Sequence, residues 1–169
     1  MQRTLTQFVA PYADVTRPED TTQYGAGDVI ADSASAASVL VFPRCSSDGG
    51  RGGCIRSAML VDSSAEATKL NADLFLFNAE PESYGNDNEA FAPTDAEMLT
   101  CVAVIALDGT TAANLSIGNG NVVIQNKTIA IPFVTALTDT SLYGVLVARN
   151  TYTPVSAEAF RVRLGIEQG

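Results

Sequence analysis

Six carboxylates, Glu80, Glu82, Asp87, Glu89, Asp95 and Glu97, crowd one stretch of the chain. Paired carboxylates can hydrolyse glycosides when they lie about 5 Å or ~6.5–9.5 Å apart across the scissile bond. The chain has no tryptophan on which a sugar could stack, so the plainer expectation is a solvated acidic loop. Gly85-Asn86-Asp87-Asn88-Glu89 offers oxygen ligands of the kind calcium takes. It lacks the D-x-[DN]-x-[DN]-G spacing and the distal bidentate Glu of a calcium loop. Asx turns account equally well for Asn86 and Asn88, and no metal site is expected.

Histidine is absent, which removes Ser-His-Asp triads, Cys-His pairs and most zinc sites. Lys69 and Lys127 are the only lysines, each in a polar setting that reads as solvated surface. Gly49, Gly50, Gly52 and Gly53 match neither GxGxxG nor GxxxxGK[ST], so no phosphate loop is present and no cofactor is expected. These exclusions predict a protein that is not an enzyme. The net charge of −9, with the bases scattered, argues against nucleic acid as a partner. The longest apolar run, Cys101 to Leu107, falls far short of the ~20 residues of a membrane span. Met1 to Ala10 carries no apolar stretch of a secretion signal, so folding in a cytoplasm is the expectation.

Cys101 sits in an apolar run and reads as a small buried hydrophobe. Cys45 and Cys54 flank a glycine-rich tip and could face each other across a hairpin. They are free thiols in a reducing cytoplasm and a candidate disulfide if the protein later leaves the cell.

The elements that hold these residues are strands. Phe160, Val162, Leu164 and Ile166 alternate with Arg161, Arg163, Gly165 and Glu167, a period-two pattern that predicts a half-buried strand. Further strands are predicted at Thr4–Val9, Asp28–Ala31, Ser38–Phe42, Ile55–Val61, Leu74–Phe77, Cys101–Leu107, Val122–Gln125, Thr128–Phe133 and Tyr143–Ala148. Leu74-Phe75-Leu76-Phe77 is apolar on both faces, as in a central strand or one covered by an interface. Gly118-Asn119-Gly120-Asn121 is a hairpin signal. Thr94-Asp95-Ala96-Glu97 has the form of a capping box opening a turn or two of helix. Many short strands with a long connection from Asn78 to Leu99 predict an all-β jelly-roll or Greek-key sandwich in a single domain over 17–169. Residues 1–16 are expected to form an amino-terminal arm or an edge strand.

Three stretches carry a family resemblance. One is Arg17-Pro18 followed by Tyr24-Gly25-Ala26-Gly27-Asp28-Val29; the second is Leu74–Phe77, Pro81 and Asp87-Asn88-Glu89-Ala90-Phe91-Ala92-Pro93-Thr94-Asp95. The third runs from Leu142-Tyr143-Gly144 through Tyr152-Thr153-Pro154 to Phe160–Ile166. Together, from Arg17 to Glu167, they resemble head decoration (cement) proteins of tailed bacteriophages, of jelly-roll type. The resemblance implies a homotrimer made in the host cytoplasm that binds the major capsid protein on the outer surface of the virion. It gives Gly25, Gly27 and Gly118 a role in backbone geometry, and Phe91 a place plugging the core. Arg3, Leu5 and Phe8, on an alternating segment ahead of the match, are the candidate subunit or capsid contacts. The alternative is a carbohydrate-binding jelly-roll module of a phage tail or fibre.

Overall fold

Phe160, Val162, Leu164 and Ile166 are buried and Arg161 and Arg163 exposed, as alternation along β11 (Ala159–Gln168) requires. The computed structural model describes residues 7–64, 68–108, 113–117 and 120–169, with side chains described outside 113–127. Strands β1 (Gln7–Val9) and β2 (Tyr12–Thr16) both pair with β11, which continues through β5 (Gly52–Asp62) and β9 (Gly120–Val134) to β8 (Ala113–Ile117). In the second sheet, β3 (Val29–Ile30) and β4 (Leu40–Phe42) pair with β10 (Leu142–Ala148), followed by β6 (Ala72–Phe77) and β7 (Cys101–Leu107). All these pairings are antiparallel.

The chain changes sheet between β2 and β3, β4 and β5, β5 and β6, β7 and β8, β9 and β10, and β10 and β11. That wrapping is the jelly-roll path. The fold is therefore the all-β sandwich that the alternation predicts. Phe42, Leu60, Leu74, Leu76, Phe160, Val162 and Leu164 fill the space between the sheets. Gly144 permits close approach there, since a Cβ would meet Phe42 Cε2 at 2.8 Å and Leu74 Cδ1 at 3.2 Å. Among the described residues no helix is long and apolar enough to cross a membrane.

A second apolar cluster lies on the outer face of the second sheet. There Phe75, Phe77, Val145 and Val147 pack against Tyr84 and Phe91 of the long connection. The Phe75 and Phe91 ring centroids are 4.5 Å apart. Strand β6 is thus central, and its outer face is covered by the chain's own loop, so no interface is needed to explain its apolarity. Phe91 covers this outer face; it does not plug the space between the sheets.

Several expectations are corrected. Residues 12–16, outside the predicted strands, form β2, because Ala13 and Val15 alternate inward beside β11. Residues 122–125 and 128–133 belong to one long strand, β9, and β8 was not foreseen. Ile117 pairs with Gly120, as the predicted hairpin demands, although Gly118 lies outside the described residues. Thr94 caps helix α1 (Asp95–Met98) with the full capping box.

Candidate interaction face

The outward residues of β2 and β11 meet in register, Tyr12 opposite Arg163 and Asp14 opposite Arg161. Arg161 grips Asp14 through two bonds, Nε to Oδ1 at 2.6 Å and Nη2 to Oδ2 at 2.7 Å. That hydrogen bonding lowers the Asp14 carboxyl below its usual range. The Arg161 guanidinium also stacks over the Tyr12 ring at 4.3 Å, and Arg163 approaches the same ring at 5.9 Å. Stacking of this kind, with the two bonds to Asp14, orders Arg161 and the tyrosine. A bulge between Ile55 and Ser57 turns Arg56 outward on the same sheet, where it pairs with Glu167.

Phe8 stands opposite Glu167 on the edge strand and is 70% exposed; Tyr12 is 50% and Val41 43% exposed. A surface groove of about 720 Å³ runs along Val9, Ala10, Pro11 and Tyr12 to Val41, Pro43 and Arg44 at β4 of the second sheet. Tyr12 is the corner shared by the groove and the arginine-bearing sheet face. Of the contacts expected in the amino-terminal segment, Phe8 is on this face, while Arg3 and Leu5 lie outside the described residues. Gln7–Val9 is an edge strand of its own sandwich.

The opposite side is different in charge. Segments 19–32 and 80–97 carry many of the acids and no Lys or Arg. They are tied to each other and to the second sheet: Val29 N–H donates to the Glu89 carbonyl, Asn88 N–H to that of Val29, and Phe91 N–H to that of Gly27. Gly27 holds φ at +97°, a conformation that favours glycine.

Asp87 anchors this layer. Its Oδ2 accepts from Arg17 Nη2 at 3.2 Å, and its Oδ1 from the Tyr24 hydroxyl and from the Ala31 N–H at 3.0 Å. Arg17 Nε donates in turn to the Tyr24 oxygen. All three side chains are buried, and burial together with Asp87 pushes the Tyr24 phenol well above its usual range. The resemblance-bearing motifs around Arg17, Tyr24 and Asp87 thus converge on one structural network. This corrects the reading of Asp87 as part of a solvated loop. Glu97 is also committed: it accepts from the Thr94 N–H and hydroxyl and from the Ser83 and Glu82 N–H groups, which pull its carboxyl down to about 2. Among the described residues no His, Cys, Asp or Glu cluster could hold a metal ion.

Cys45, Cys54 and Cys101 are free thiols. Cys45 and Cys54 do not face each other across a hairpin, because the chain changes sheet between them. The Cys45 N–H bonds to Thr140, whereas Cys54 pairs with Pro132 and Glu167. Lys69, expected at the surface, is buried against Asp62; the Lys127 side chain lies outside those described.

The arrangement defines a jelly-roll β-sandwich with one loop-covered acidic side and one open side that carries Phe8, Tyr12 and the arginines of β5 and β11. No protein-family model matches the sequence, and no curated protein matches it either. Among solved structures it is similar to the K3 cleaved adhesin domain of Lys-gingipain from Porphyromonas gingivalis. That match has 14% identity, covers 83% of this chain and 71% of that one, and has a TM-score of 0.34. The K1 cleaved adhesin domain of the same protein matches at 10% identity over 96% of this chain and 90% of that one, TM-score 0.34. A chain of Triatoma virus matches at 10% identity over 85% of this chain and 61% of that one, TM-score 0.26. At these scores the topology rests on this chain's own strand pairings.

Proposed function

We propose that this protein is a non-enzymatic decoration (cement) protein of a tailed-phage head. In this reading it binds the outer surface of the assembled capsid as a homotrimer and stabilises it. The observation that carries the reading is the exposed Phe8 and Tyr12 on the outer face of the first sheet, where Arg161 stacks on the Tyr12 ring and Arg163 approaches it. Aromatic residues and arginine are the side chains that most often anchor protein interfaces. The sequence resemblance over Arg17–Glu167 supplies the partner, the major capsid protein.

A ligand stabilises an assembled lattice only by binding it more tightly than the free coat subunit. A trimer engaging several coat subunits at once gains avidity, so each contact can be as small as ~800 Å² per partner. The acidic loop layer would then face outward, which favours solubility and repels stray nucleic acid.

The test is light scattering for the solution mass, followed by co-sedimentation with undecorated, expanded phage heads. A trimer that pellets with the heads is the expected result. A monomer that stays in the supernatant would overturn the proposal and redirect attention to glycans.

A further inference from the structure

At the end of β5, far from the acidic loop layer in sequence, three ionisable side chains are buried together. Asp62 is 2% exposed, Glu158 2% and Lys69 8%. Asp62 is held rigidly: its Oδ1 accepts the Ser64 N–H at 2.7 Å, and Phe160 beside Glu158 pairs with Asp62 in the β5–β11 ladder. Its Oδ2 is buried with no hydrogen-bond donor among the described residues and lies 3.8 Å from Lys69 Nζ. The lysine Nζ donates at 3.1 Å to the Ser64 carbonyl. Glu158 is positioned by the Tyr152 hydroxyl at 2.6 Å on Oε1 and the Val155 N–H at 3.3 Å on Oε2, and its carboxyl interacts with that of Asp62.

An amine and two carboxyl groups cut off from water favour a net-neutral state, because burial penalises unbalanced charge. Neutrality requires two acidic protons shared among the three. The ion pair with one protonated carboxyl and the form with a free amine and two carboxylic acids contain the same atoms. The second form is ready to condense. Burial pushes the Glu158 carboxyl up to about 7, in keeping with a proton held there.

We propose that Lys69 and Asp62 form an intramolecular amide bond, with Glu158 carrying the proton. The Lys69 Nζ lone pair attacks Asp62 Cγ, forming the C–N bond. A proton from the amine passes through Glu158 to an Asp62 oxygen; the C–O bond breaks and that oxygen leaves as water. Glu158 is regenerated. No oxidant, reductant or activated group is consumed. The link would tie the end of β5 in one sheet to the approach of β6 in the other. It is independent of the capsid-binding proposal, and each can fail without the other.

The test is mass spectrometry of the purified, folded full chain after denaturation and reduction. The expected mass is the sequence mass less one water, about 18 Da, from condensation of the lysine amine. Trypsin should then fail to cut after Lys69, giving a fragment from Ser57 to Lys127 that carries the deficit. Lys69→Arg should restore the full mass. Full mass with normal cleavage after Lys69 in the wild-type chain would overturn the proposal, whether or not the variant folds. A deficit that persists in Lys69→Arg would overturn it too, since a succinimide elsewhere loses the same water.

Discussion

Asp87→Ala removes one carboxylate that satisfies three donors: the Arg17 guanidinium, the Tyr24 hydroxyl and the Ala31 N–H. Arg17 is 2% exposed and would keep only its contact with Asp20 and the Tyr24 oxygen. Breaking a buried ion pair by deleting one partner typically costs about 3–5 kcal/mol, because the remaining charge cannot regain water. A domain of this size has only about 5–15 kcal/mol of total stability. At about 2–4 °C per kcal/mol, the variant should melt roughly 6–20 °C lower. Tyr24→Phe leaves the Arg17–Asp87 pair intact and should cost less, about 1–3 kcal/mol. Urea unfolding followed by fluorescence and circular dichroism measures both. An Asp87→Ala loss below about 1 kcal/mol would refute the view that this network holds the acidic loops on the second sheet.

Further outcomes follow from the same geometry. Arg161→Glu with Arg163→Glu should weaken head binding strongly while leaving the melting temperature within a few degrees; unchanged co-sedimentation would remove this face from the interface. Glu158 has a folded-state carboxyl raised to about 7, so its contribution is fully present below its unfolded value and is lost as pH rises through 7. Stability should therefore decline from pH 5 to pH 8, and Glu158→Gln should flatten that slope in denaturant titrations. Gly144→Val should destabilise by about 1–3 kcal/mol through its clash with Phe42 and Leu74, as read by urea midpoints. Cys45 is buried, and burial pushes its thiol up to about 12, so thiol reagents should modify Cys54 well before Cys45 in the native protein.

The local pattern of the chain was legible wherever neighbours in sequence decide structure. Alternation in 160–167 gave β11, and Thr94 with Glu97 gave the cap of α1. What escaped depended on distant partners. Asp87 reads as one more loop acid until Arg17 and Tyr24 arrive from the other end of the chain. Lys69 reads as solvated until Asp62 and the Ser64 carbonyl hold its amine in the interior. The short strand Tyr12–Thr16 buries only Ala13 and Val15, a faint apolar signal. Arg161 and Arg163 were visible as the polar side of a strand, but their stacking on Tyr12 depends on the β2–β11 register.

The measurement that bears most directly on the account is a saturation isotherm of the protein on undecorated expanded heads, with its solution mass known. A trimer is expected, with binding that saturates at a fixed number of trimers per head and falls away when Arg161 and Arg163 are reversed. Binding that never saturates, or no binding by a well-folded protein, would contradict it.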